Sequence, residues 1–240
     1  MKTYCILTLS KYPDHLDRCL SSIFIAQPEL SLNDIYVVDD GLPKETKTRW
    51  KVNYIEGKKP FFFARNFNIG LDQTPHDKDV FFIGDDGTLM TVGGIDHLAR
   101  TASKYPNVGL ISPSITGQVK NFFQTEGVLT KFTLNKEIEG IPGYLPTVVF
   151  YAVFLTRKAI NAVGPIPETF SGYGYEDDYF CQKMIRHGLD WAIDPSILIR
   201  HGFGKYKAAS SYHRAGMDPI KLQEINRKVY EDLKKHQPTD

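Results

Sequence analysis

Apolar and polar positions along the first 90 residues switch between two rhythms. Residues 4–9 form a short β-rich apolar run, which predicts a buried strand. Leu16, Cys19, Leu20 and Ile23 then recur at helical spacing, with Asp14 placed to cap the helix. Ile35-Tyr36-Val37-Val38 predicts a second strand, stopped by Asp39-Asp40-Gly41, and residues 52–55 predict a third. After Phe61-Phe62-Phe63, residues 64–71 return to helical spacing. Val80-Phe81-Phe82-Ile83 reads as a fourth strand, stopped by Gly84-Asp85-Asp86-Gly87. Strands alternating with helices predict an α/β fold: a mostly parallel central sheet flanked by helices. In such sheets ligands bind at the carboxyl ends of the strands, and two of these strands end in an Asp-Asp-Gly turn.

Beyond residue 90 the pattern is weaker. It predicts a helix over 91–104, a strand over 108–111, a hairpin over 122–132 and a loop around Pro142, Gly143 and Pro146. Residues 147–155 are strongly β-prone. A short helix over 157–163 ends at Gly164-Pro165, and a helix over 176–187 carries three carboxylates in its first turn and stops at Gly188. Ile197-Leu198-Ile199 is the last predicted strand, leading into Arg200-His201-Gly202. Residues 219–235 form an amphipathic helix. There are no repeats and no low-complexity linker, so residues 1–204 read as one domain, in halves of 1–90 and 91–204. Residues 205–240 form a lid segment and a C-terminal helix.

Composition narrows the function classes. The 240 residues are 42% apolar, and 29 basic against 28 acidic residues leave a net charge of +1. That balance lacks the basic excess that draws duplex nucleic acid. Cys5, Cys19 and Cys181 are scattered, with neither metal-ligand spacing nor an even count for a disulfide framework. Reduced thiols, no apolar run near the ~20 residues of a membrane span and no signal-peptide-like start lead to an expected cytoplasmic location.

Several groups of residues could carry chemistry. Asp39 or Asp40 could accept a hydrogen bond from a base imide or a ribose hydroxyl, although Asp and Gly favour turns anyway. Adjacent Asp85 and Asp86 repel unless a cation is near, and hard oxygen donors suit Mg2+ or Mn2+. Arg65 and Asn66 open a helix between these turns, where Arg65 could meet a phosphate or remain on the surface. Glu176, Asp177 and Asp178 favour a helix N-terminus by their charge alone, yet three in a row after Gly172-Tyr173-Gly174-Tyr175 exceed what capping needs. One of them could be a general base. His201 could complete a metal site. Lys205, Lys207 and Arg214 could close over phosphates. Tyr144, Tyr173, Tyr175 and Trp191 could form an aromatic platform. His15, His76, His97, His187 and His213 have no comparable setting.

Taken in order over residues 4–204, these elements resemble the GT-A glycosyltransferases, especially glycosyltransferase family 2 and the β-1,4-galactosyltransferases. Val37-Val38-Asp39-Asp40-Gly41 looks like the nucleotide-binding turn and Ala64-Arg65-Asn66-Phe67-Asn68-Ile69-Gly70 like the Arg-Asn helix. Gly172-Tyr173-Gly174-Tyr175-Glu176-Asp177-Asp178 is similar to the Gly-Trp-Gly-Gly-Glu-Asp-Asp acceptor motif, and Ile199-Arg200-His201 to the late metal-binding segment. The resemblance implies a Rossmann-like GT-A fold with a small antiparallel acceptor-side part. It implies a nucleotide half (1–90) and an acceptor half (91–204). It further implies inverting transfer from a nucleotide-sugar, a UDP-sugar by resemblance, to a hydroxyl on a glycan, lipid-linked sugar, protein or modified nucleic-acid base. Carried over, Thr8, Asp39, Asp40, Arg65, Asn66 and Asp85 would bind the nucleotide. Asp86 and His201 would bind Mn2+ or Mg2+. Asp177 would be the base, with Glu176, Tyr173, Tyr175 and Asp178 at the acceptor. Two departures matter: the usual Asp-x-Asp is here Gly84-Asp85-Asp86, and Tyr173 and Tyr175 replace a Trp and a Gly. A sugar-1-phosphate nucleotidyltransferase would share the sheet but need a glycine-rich loop where Leu9-Ser10-Lys11-Tyr12-Pro13-Asp14 stands. A sugar- or Ca2+-binding module could use the acidic turns without catalysis.

Overall fold

The protein is described by a computed structural model, which covers residues 2–172, 174–202 and 218–235. β1 (Tyr4–Ser10) is buried along its whole length and pairs in parallel with β2 (Ile35–Asp39) and β4 (Asp79–Ile83). α1 (Pro13–Ala26) crosses between β1 and β2, burying Leu16, Cys19, Leu20 and Ile23. Its cap position is Tyr12 with Pro13 at the first turn; Asp14 lies inside the helix rather than capping it. β2 leads through α2 (Lys44–Arg49) to β3 (Asn53–Glu56), which pairs in parallel with it. α3 (Phe63–Gln73) packs Phe67 on the opposite sheet face from α1.

β4 turns through Gly84-Asp85-Asp86 into β5 (Gly87–Leu89), a three-residue strand too short to show in the hydrophobic pattern. α4 (Gly94–Lys104), β6 (Val108–Gly117), β7 (Thr133–Leu134), α5 (Asn135–Ile138), β8 (Ala152–Leu155), α6 (Arg157–Val163), α7 (Glu176–Arg186), β9 (Asp190–His201) and α8 (Pro219–Lys235) follow. The nine-stranded sheet has the order β3-β2-β1-β4-β8-β6-β9-β5, with β7 on β9. β1, β2, β3, β4, β6 and β9 run in one direction; β5, β7 and β8 run against them. The mixed α/β sheet with helices on its faces is the predicted one, and each of its antiparallel pairings involves a strand of the second half. Two apolar clusters cover its faces, one around Phe67, Phe180 and Trp191, the other around Leu20, Ile23 and Phe154. Cys5, Cys19 and Cys181 are free thiols inside these clusters. Among the described residues no helix is long and apolar enough to cross a membrane.

β9 starts at Asp190, well before the predicted 197–199, and three other predicted elements differ, each for a local reason. Residues 122–132 form no hairpin; a 3-10 turn, Phe122–Gln124, starts there under an Asn121 cap, and the only named pairing is the bridge Ile115–Thr125. The β-prone stretch 147–155 is a strand only from Ala152. Before that, buried amides satisfy its backbone: Asn121 donates to the Thr147 carbonyl (2.8 Å), and Gln124 donates to the Val149 carbonyl (3.0 Å) and accepts from Val149 N–H (2.7 Å). β6 extends to Gly117 because buried Ser112 and Ser114, which break the apolar pattern, sit in its ladder with β9.

The approach to α7 is fixed by α8. A Cβ on Gly172 would collide with the Leu222 carbonyl, so only glycine lets the α8 backbone pass this close. Gly172→Ala should therefore destabilise the fold by about 1–3 kcal/mol, read by thermal unfolding.

Candidate active site

The common strand direction brings the carboxyl ends of β1, β4 and β9 to one edge, where the N-terminus of α7 and the loop before β8 also arrive. A cavity of about 470 Å3 opens there. Asp40, Asp85, Asp86, Tyr175, Glu176, Asp177, Asp178 and His201, eight of the candidate residues, line it.

Asp86 meets His201 because β5 pairs with β9 in the register Gly87–His201, and Gly202 N–H donates to the Asp86 carbonyl (2.9 Å). His201 Nε2 lies 3.4 Å from Asp86 Oδ2, while Nδ1 lies 2.5 Å from the Gln118 carbonyl, which orients the ring. The ring rests on Tyr151, centroids 4.1 Å apart. Burial opposes the charge on both groups, but their contact outweighs it: Asp86 titrates lower than an ordinary carboxylate and His201 higher than an ordinary imidazole. Beside them, Asp85 accepts from Ser10 Oγ (2.7 Å) and sits 3.7 Å from His15 Nδ1. Burial raises its pKa.

At the start of α7, Glu176 is buried, and desolvation followed by the Asp177 charge pushes its pKa well above the usual range. Burial also raises Asp177, against backbone N–H donors that include Asp178 N at 3.0 Å. Asp178 is raised to about 7 by burial and then by Asp177. Tyr175 takes a left-handed conformation (φ 72°), which L-residues rarely adopt and which turns the chain into the helix.

Asp178 gives a sign-defined prediction. A carboxyl whose folded pKa is raised stabilises the fold below its unfolded pKa, and that contribution is lost as pH rises through about 7. Asp178→Asn should raise the melting temperature at pH 8 by at least roughly 2–4 °C, and by less at pH 5. Equal gains at both pH values would contradict the assignment.

The other nucleotide-side candidates, Asp40 apart, do not line the cavity. Thr8 is fully buried, its hydroxyl without a partner, on the sheet face shared with Ile6. Asp39 caps its own turn, accepting from Gly41 N–H (2.8 Å) and Leu42 N–H (2.6 Å) and pairing with Lys47. Asp40 pairs with Lys59. Arg65 donates to the Pro60 and Lys58 carbonyls and lies over the Phe62 ring. Asn66 is buried and brackets Lys58, accepting from its N–H (2.8 Å) and donating to its carbonyl (3.2 Å). In this structure the Arg-Asn pair thus shapes the loop after β3 and does not line the cavity. Trp191 is fully buried core, with Tyr144 stacked over it, so these two form no open platform. Tyr173 and the lid residues Lys205, Lys207 and Arg214 lie outside the described residues.

Sequence reading missed Ser10, His15, Lys11 and Lys120 at the cavity side, the 147–151 loop, and Gln223 and Asn226 from α8. For Ser10 and His15 a signal existed: both follow the carboxyl end of the first strand. Lys11 shares that signal, and the others depend on long-range packing.

Among the described residues no three His, Cys, Asp or Glu side chains are arranged to hold a metal. Asp86 and His201 nevertheless fit one cation as a pair. They offer a carboxylate oxygen and an imidazole nitrogen 3.4 Å apart at the cavity, donor types that a divalent cation would take.

No protein-family model and no curated protein matches the chain. Among solved structures, that of GalNAc-T7 with UDP, GalNAc and Mn2+ aligns with a TM-score of 0.65 over 85% of this chain, at 13% identity. The fold is GT-A-like. The chain spans 44% of that larger structure's chain. In the GT-A-like sheet of this protein, the cavity sits where the co-directional strands end, the position expected of ligand sites in such sheets.

Proposed function

We propose that this chain is an inverting, divalent-metal-dependent glycosyltransferase that moves a sugar from a UDP-sugar to an acceptor hydroxyl. One observation carries the reading: a single cavity joins the Asp85, Asp86 and His201 group at one sheet edge to the Glu176–Asp178 carboxylates of α7. The GT-A-like fold, shared with a structure holding UDP and Mn2+, agrees with it.

Asp86 and His201 would hold Mn2+ or Mg2+, which supplies positive charge against the leaving diphosphate. Lys11 and Lys120 add positive charge to the cavity lining. Asp177 takes the proton of the acceptor hydroxyl, and burial makes it a stronger base than a solvated carboxylate. The acceptor oxygen then bonds to the anomeric carbon as the carbon–phosphate-oxygen bond breaks on the opposite face, releasing UDP with inversion. Glu176, whose pKa burial raises, orients the acceptor with Tyr175 and Asp178. Asp40 and Asp85 face the nucleotide. Residues 1–204 form the catalytic domain. The acceptor classes named above are glycan, lipid-linked sugar, protein and modified base.

A calorimetric titration tests this. UDP should bind at least about tenfold more tightly with Mn2+ than with EDTA, since a cation held by Asp86 and His201 would supply positive charge against the diphosphate. A Ca2+-binding module or plain sugar-binding module would show UDP affinity independent of Mn2+, and that result would overturn the reading.

A further inference from the structure

α8 lies beyond the catalytic domain in sequence, yet it reaches the acceptor side of the cavity. Gln223, on its first turns, is part of the cavity lining and lies against Gly174. One turn further, Asn226 is fully buried and uses both ends of its amide on the segment before α7. Its Oδ1 accepts from Gly172 N–H at 2.8 Å. Its Nδ2 donates to the Gly174 carbonyl at 2.8 Å and to Glu176 Oε1 at 3.2 Å. Tyr230, a further turn along, sits against Tyr175 with ring centroids 5.5 Å apart. Three residues of one helix thus hold Gly172, Gly174, Tyr175 and Glu176, and Asp177 follows directly.

We propose that α8 is a working part of the acceptor site, with Asn226 as the positioning residue that fixes Gly172 and Gly174 and aims Glu176, and with Gln223 contacting the acceptor. This rests on the glycosyl-transfer reading for what the segment does. The clamp itself stands on the hydrogen bonds alone. Three observations favour a fitted device over incidental packing. The amide spends every bond on one target. Gly172 has its backbone under the Leu222 carbonyl, where no side chain fits. Tyr175 is held in a conformation that its surroundings must maintain, because L-residues rarely adopt it unaided.

The test compares Asn226→Ala with Leu233→Ala, a change on the same helix that loosens core packing and leaves the clamp intact. Three quantities are read on the full chain: hydrogen exchange of the Gly172 and Gly174–Asp178 amides, UDP affinity with Mn2+, and UDP release from a UDP-sugar. In Asn226→Ala those amides should exchange about tenfold faster or more, because buried hydrogen bonds are lost. UDP affinity should stay within about twofold, and kcat for UDP release should fall about tenfold with an unchanged donor KM. Leu233→Ala should lower the melting temperature while leaving segment exchange and kcat near wild type. Unchanged segment exchange in Asn226→Ala overturns the clamp. Faster exchange with unchanged kcat overturns its role at the acceptor. If the wild-type protein fails to bind UDP with Mn2+, the transferase reading fails while the exchange arm still decides the clamp.

Discussion

Asp177→Asn should lower UDP release from a UDP-sugar about a hundred- to ten-thousandfold, the range that a positioned general base contributes. The substitution keeps the shape and the hydrogen bond from Asp178 N–H but removes the proton acceptor. UDP affinity in the presence of Mn2+ should hardly change, because Asp177 is not among the residues proposed to hold the nucleotide or the metal. The loss should therefore fall on kcat. A wild-type kcat in this variant would remove Asp177 from the mechanism. Loss of UDP binding together with kcat would instead indicate a collapsed site.

The second large effect concerns Asp86 and His201. Each supplies one donor to the proposed cation, so Asp86→Ala and His201→Ala should each weaken Mn2+-dependent UDP binding at least about tenfold. Asp85→Asn, which keeps the Ser10 contact, should weaken it less. The readout is UDP affinity with and without Mn2+. In the first two variants the gain on adding Mn2+ should largely disappear. A full gain in both would place the metal elsewhere. His201 also bonds Gln118 and stacks on Tyr151, so its variant needs a thermal melt alongside.

In the first half, β1 and β4 were legible because they are short, apolar and buried, and α1 and α3 because each carries one apolar stripe; α2, polar throughout, was not. Asp40, Asp85 and Asp86 could be placed at strand ends for the same reason. In the second half, polar side chains do structural work that no periodicity reveals. Gln124 and Asn121 replace strand pairing for the β-prone 147–151 stretch, and Ser112 and Ser114 hide the length of β6. The Asp86–His201 meeting was inferred by resemblance, but the element that creates it, β5, has three residues and no pattern to detect. The Arg65-Asn66 pair shows the opposite failure. Its residues match a motif, yet here they hold the backbone of their own loop. The glycines of the α7 approach were read as part of an acceptor motif. For Gly172 the steric reason is α8, some 50 residues later, which no local reading of the chain could supply; Gly174 is needed for its φ of 83°.

The most direct measurement of the central claim is UDP release from a panel of UDP-sugars by the wild-type protein, with Mn2+ and with EDTA. The account predicts turnover of at least one UDP-sugar that requires the metal and is abolished by Asp177→Asn. Metal-independent release, or release that persists in Asp177→Asn, would contradict it.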